Sequence, residues 1–67
     1  MTKSEIIDNI ETGIGSYKHR LESRKNDVIE FVNKGQMWNA QIAIGECIGF
    51  IAAIEELEFQ LECMEVE

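Results

Sequence analysis

Trp38-Asn-Ala-Gln-Ile-Ala-Ile-Gly-Glu-Cys-Ile-Gly-Phe-Ile-Ala-Ala-Ile-Glu-Glu-Leu57 decides the fold of this chain, because it is too apolar for a helix that buries only one side. Within it and beyond it, Ala40, Ala43, Cys47, Phe50, Ile54, Leu57, Leu61 and Met64 advance alternately by three and four. That is the spacing of a helix packed along a heptad seam. Ile44, Ile48 and Ile51 run beside the seam on a neighbouring strip of the same cylinder. Gly45, Gly49 and Ala53 recur at steps of four, and small residues at that spacing let a second backbone come close. One partner helix covers one seam, and this helix has apolar surface for two.

The first half supplies one such partner. Thr2 and Glu5 have the spacing of a capping box, which opens a helix by satisfying two of its free amides. From there Ile7, Ile10, Ile14, Tyr17, Leu21, Arg24, Val28 and Phe31 step by three and four without a slip. Gly13 and Gly15 cost a helix interior about 1 kcal/mol each relative to alanine. They mark either a break, with Ser16 capping a second segment, or room for a neighbouring backbone. The seam stays in phase across them, which favours one continuous helix. Asn33-Lys34-Gly35 is the one convincing turn, with Gly35 suited to the left-handed position that ends a helix.

The expectation is an all-α, single-domain antiparallel hairpin over residues 1–67, with helix one at about 3–33, a turn at 33–36 and helix two at about 37–64. Folding the chain about that turn places Ile7 near Met64, Ile14 near Leu57, Leu21 near Phe50, Arg24 near Cys47 and Phe31 near Ala40. Two helices do not close a core. Trp38, Ile44, Gly45, Ile48, Gly49, Ile51, Ala52 and Ala53 are therefore the expected oligomer interface, in a four-helix bundle or a larger ring.

Composition narrows the function. Sixty-seven residues give at most one domain, near the size at which a single core suffices. A net charge of −7 works against general nucleic-acid affinity. No basic-then-apolar leader opens the chain, so a non-secreted start is expected. The apolar run from Ala40 to Ile54 is shorter than the roughly 20 residues of a bilayer span and carries Gln41 and Glu46, so no membrane span is expected. Cys47 and Cys63 lie on one helix about 24 Å apart, far beyond disulfide reach, and read as reduced thiols. No Cys-x-x-Cys pair, no serine–histidine–acid set and no phosphate-cradling glycine loop is present. The expected protein is non-enzymatic, without cofactor or metal.

Charge is unevenly placed. Lys18, Arg20, Arg24 and Lys25 hold four of the six basic residues, whereas Glu5, Asp8 and Glu11 face Glu55, Glu56, Glu58, Glu62, Glu65 and Glu67 at the open end. That acidic tip either keeps the protein soluble or meets a basic surface. Arg24 interrupts an apolar seam, so it must be paired, reach the edge, or bind something. An ion pair to Glu46, within the hairpin or across a dimer, is the ordinary outcome. Tyr17, Lys18 and Arg20 with Arg24 form the alternative, a site for a small anion such as a nucleotide. Trp38, with Met37, either closes the end of a bundle core or anchors a partner. His19 has no companion at ligand spacing and reads as a surface side chain.

Lys34-Gly35-Gln36-Met37-Trp38-Asn39-Ala40, followed by Ile44-Gly45-Glu46-Cys47-Ile48-Gly49-Phe50-Ile51-Ala52-Ala53, resembles a pattern in short helical-hairpin proteins of tailed bacteriophages. There a glycine turn and an aromatic lead into a helix with glycines four apart. The resemblance covers about thirty residues and carries no catalytic residue. It implies a virion component or a host-directed factor, located in the cytoplasm of a bacterial host or in the particle. In architecture alone the hairpin also resembles the RNA-binding dimer Rop. Three functions follow as expectations: an interaction protein that self-associates through helix two and docks on a larger protein assembly; an inhibitor or ligand sponge; and a Rop-like RNA binder.

Overall fold

The structure is a computed structural model that describes residues 1–66. Helix α1 spans Lys3–Asn33 and helix α2 spans Met37–Val66, and they pack side by side in a rod 49 Å long and 14 Å across. The described residues contain no strand.

Each boundary has a local cause. Thr2 sits in extended backbone, its hydroxyl accepts from the Glu5 amide at 3.2 Å, and its own amide donates to Glu5 Oε1 at 3.3 Å. Both halves of the capping box are therefore made. At the other end Gly35 takes φ 72°. Its amide donates to Val32 O at 3.0 Å, and the Gln36 amide reaches back to Phe31 O at 2.8 Å. This pair of bonds is a Schellman closure, which satisfies carbonyls that a helix end leaves free. The chain then re-enters a helix at once, with the Ala40 amide on Gln36 O at 3.0 Å. So tight a reversal holds the helices antiparallel from their first turn.

The two seams meet along the whole rod. All eight expected positions on α1 and all eight on α2 are buried or half-buried. Ala40 and Ala43, each 1% exposed, let the helices close most tightly beside the turn, and Cys47, Ile54 and Ile14 continue the core toward the open end. The core is thin, since among the described residues no large side chain is fully enclosed.

Helix α1 runs unbroken through Gly13 and Gly15. The two glycines differ in purpose. A Cβ on Gly13 would stand 3.4 Å from Leu57 Cδ1, so this glycine seats a leucine of α2, while a Cβ on Gly15 would meet nothing within 4 Å. Helix α2 continues two residues past the expected end at 64. No helix among the described residues is long and apolar enough to cross a membrane.

Candidate functional site

In an antiparallel pair, the positions beside the two seams form two flanks. The first carries Glu11, Lys18, Lys25 and Val32 from α1, and Met37, Ile44, Ile51, Glu58 and Glu65 from α2, each series spaced by seven. Lys18 Nζ stands 4.0 Å from Glu58 Oε2 across this flank, and one cleft is lined by Glu11, Gly15, Lys18, Glu58, Glu62 and Glu65 together. The second flank carries Arg20, Asp27, Asn39 and Glu46. Its clefts are lined by Arg20, Arg24, Asp27, Glu46 and Phe50, and by Arg24, Asn39, Ile42 and Glu46.

The second flank holds the arginine. Arg24 Nε donates to Glu46 Oε2 at 2.7 Å, and its Nη1 donates to Asp27 Oδ2 at 2.8 Å. The guanidinium thus ties the two helices at one height, with both carboxylates on its own hairpin. Its pKa is raised above the ordinary arginine value, first by the hydrogen bond to Asp27 and then by that to Glu46. Asp27 is the partner not anticipated from sequence, although its three-residue spacing from Arg24 is the helical neighbour spacing.

The anion site expected from Tyr17, Lys18, Arg20 and Arg24 is not gathered in one place. Lys18 lies on the first flank with Glu58, away from the cleft that holds Arg20 and Arg24. Two carboxylates already occupy Arg24, and Arg20 sits over the Tyr17 ring at 5.8 Å. Tyr17 itself is a seam residue, half-buried, its ring 6.0 Å from that of Phe50. What results is a charge-balanced lock between helices.

The first flank is different. Near the turn it is apolar and open. Ile48 is 62% exposed, Ile29 is 59% exposed, and Val32, Met37, Ile44 and Ile51 are exposed around them. Toward the open end the same flank changes to Lys25, Glu22 and Lys18, and then to acids. Trp38, 74% exposed, stands at the margin near the turn and closes no core within the hairpin.

The interface residues expected from sequence therefore divide. Ile44, Ile48 and Ile51 share the first flank, with Trp38, Gly45 and Ala52 along its outer margin, all exposed. Gly49 faces away from that flank, and Ala53 is half-buried toward the second. A Cβ on Gly45 or Gly49 would meet nothing within 4 Å, so neither glycine serves packing inside the hairpin. Ile29, Val32 and Met37 extend the patch beyond what sequence indicated. Val32 and Met37 belong to the same seven-residue rows, and Ile29 lies beside them, four residues from Lys25 and three from Val32.

Comparison with protein-family models, with curated proteins and with solved structures finds no match. Chemistry on the rod must then be read from the rod. Among the described residues no group of three or more His, Cys, Asp or Glu side chains is placed to hold a metal ion. Cys47 is buried in the seam and Cys63 is exposed near the open end.

Proposed function

We propose that this chain is a non-enzymatic assembly module, which self-associates through the apolar flank near its turn and presents the rest of its rod to a larger protein assembly. One observation carries the reading: Ile29, Val32, Ile44, Ile48 and Ile51 all stand exposed on a single flank, fed by both helices. Soluble monomers rarely leave so many large aliphatic side chains together in water, and a contiguous patch of this kind marks an interaction surface. Isolated exposed hydrophobics would carry no such meaning.

The test is the mass of the purified chain by light scattering across a range of concentrations. Twice the chain mass or more is expected at tens of micromolar. A folded particle of one chain mass at every concentration would remove the proposal.

The docking half of the reading rests on the phage-type pattern from Lys34 to Ala53 and places the partner in a virion or among host proteins. Co-purification of the chain with particles is the expected result for the virion form. Absence from purified particles would leave the host-directed form.

A further inference from the structure

We infer that the occupant of the apolar flank is a second copy of this chain, lying antiparallel and staggered, with the twofold axis crossing the flank at the height of Cys47. This inference rests on the proposed self-association and adds its geometry. Gly13 beside Leu57, and Arg24 beside Glu46, show that residues at one height on the two helices are about equally far from the Gly35 turn. Lys25 and Glu22 of α1 therefore lie at about the height of Gly45 to Ile48 of α2.

An in-plane twofold axis that reverses the rod sets α2 against α2 and α1 against α1. Placed at Cys47, it brings Ile44 of one copy to within about one residue of Ile51 of the other, and the two Ile48 side chains to within about two residues of one height. At the matching height on α1, near Ser23, it brings Lys25 of each copy to within about one residue of Glu22 of the other. Within one helix this pair is already 3.5 Å apart, with both side chains more than half exposed. Two copies then form an alternating square of two cations and two anions. The point of self-complementarity on α1, midway between Glu22 and Lys25, lies about one residue in height from that on α2, midway between Ile44 and Ile51, although one is located by charge and the other by apolar shape.

The same axis brings Val32 of one copy to within about one residue of Gly15 of the other. Gly15 has open space where a side chain would be and no neighbour in its own hairpin, so the arrangement supplies what a helix-interior glycine otherwise lacks. It also carries the acidic ends outward in opposite directions. A parallel pair does the reverse: it stacks isoleucines on Lys25 and Glu22, and brings Glu11, Glu58, Glu62 and Glu65 of both copies to one end. An antiparallel pair centred on the rod's midpoint sets Ile44 beside Glu58 and Ile48 against Glu55.

The experiment is a spin-label distance on the native chain. Cys63 is exposed and Cys47 is buried, so a thiol-reactive nitroxide is directed to Cys63. At a rise of about 1.5 Å per residue, the staggered pair separates the two labels by about 48 Å. A separation under about 25 Å would mean a parallel pair, and one of about 35 Å a midpoint-centred pair. Either overturns this arrangement while leaving self-association in place. A single-chain mass with no dipolar signal overturns both. A second measurement mixes Lys25→Glu with Glu22→Lys: the mixed dimer is expected to form several-fold more readily than either variant with itself, and indifferent mixing overturns the pairing.

Discussion

Replacing Ile48 by glutamate separates association from folding. Ile48 is 62% exposed in the hairpin, so its removal takes little from the intramolecular core. Glutamate is at least as good a helix former as isoleucine, which keeps α2 intact. In the pair, the exposed portion of each isoleucine is covered, and burying that much of an aliphatic side chain is worth about 1–2 kcal/mol. A symmetric dimer loses this twice, about 2–4 kcal/mol, before any cost of setting two carboxylates near one axis. At about 1.4 kcal/mol per decade, the dissociation constant rises about 30- to 1,000-fold. Sedimentation equilibrium measures that constant, and far-ultraviolet circular dichroism shows whether helix content holds. The control is Ile42→Glu, an equally apolar and exposed position on the second flank beside Arg24 and Glu46, where association is expected to stay as it is. Unchanged association by Ile48→Glu with helix content intact, or equal losses at the two positions, would refute the assignment of the first flank as the interface.

Three further outcomes follow from the same geometry. Gly49→Ala, on an exposed site with open space around the new methyl, is expected to stabilise α2 by about 1 kcal/mol, or about 4–8 °C in melting midpoint, without altering the mass; a loss of association would place a backbone crossing at Gly49. Gly35→Ala forces a side chain onto φ 72° and is expected to lower stability by about 1–2 kcal/mol, read from the same melt. Arg24→Ala and Glu46→Ala are expected to be non-additive in a double-mutant cycle, the second change costing less once the first is made; additive losses would mean that the 2.7 Å contact contributes nothing. Arg24 should add no pH dependence near neutrality. A cation with a raised pKa contributes fully below its unfolded value and loses that contribution only as pH climbs through the folded one, far into the alkaline range.

Much of the hairpin was legible in sequence because its determinants are local or strictly periodic. The step of three and four identified every seam position, and Thr2, Glu5 and Gly35 announced the ends through backbone chemistry that needs no tertiary context. The flanks were harder. Lys18, Arg20, Arg24 and Lys25 read as one basic belt along the chain, yet about 100° of rotation per residue sends Lys18 to one side of the seam and Arg20 to the other. Gly45, Gly49 and Ala53 read as one small-residue strip for the same reason, and spacing by four drifts around the cylinder until Ala53 reaches the second flank. Val32 lies outside the α1 seam that the sequence reveals. Its role in the patch exists only once α1 is folded back beside Met37 and Ile44. Asp27 was the one omission that helical spacing alone would have filled.

The thinness of the hairpin core bears on what association does for this chain. Among the described residues five side chains are buried, two of them alanines, and no large one is fully enclosed. A core of that kind in a chain of this size leaves little net stability after the conformational entropy of some sixty helical residues is met. Anything that binds only the folded form adds its binding free energy to folding. On the proposed pairing, the isoleucines near the turn couple association to folding, because a second copy covers the flank of α2 that α1 leaves open there. The acidic half gains nothing from that contact. It keeps the like charges of Glu11, Glu58, Glu62 and Glu65 and only the weak 4.0 Å approach of Lys18 to Glu58. On the proposed pairing, one rod carries a half that a second copy covers and a half left outside it, which is the division of labour an assembling piece requires.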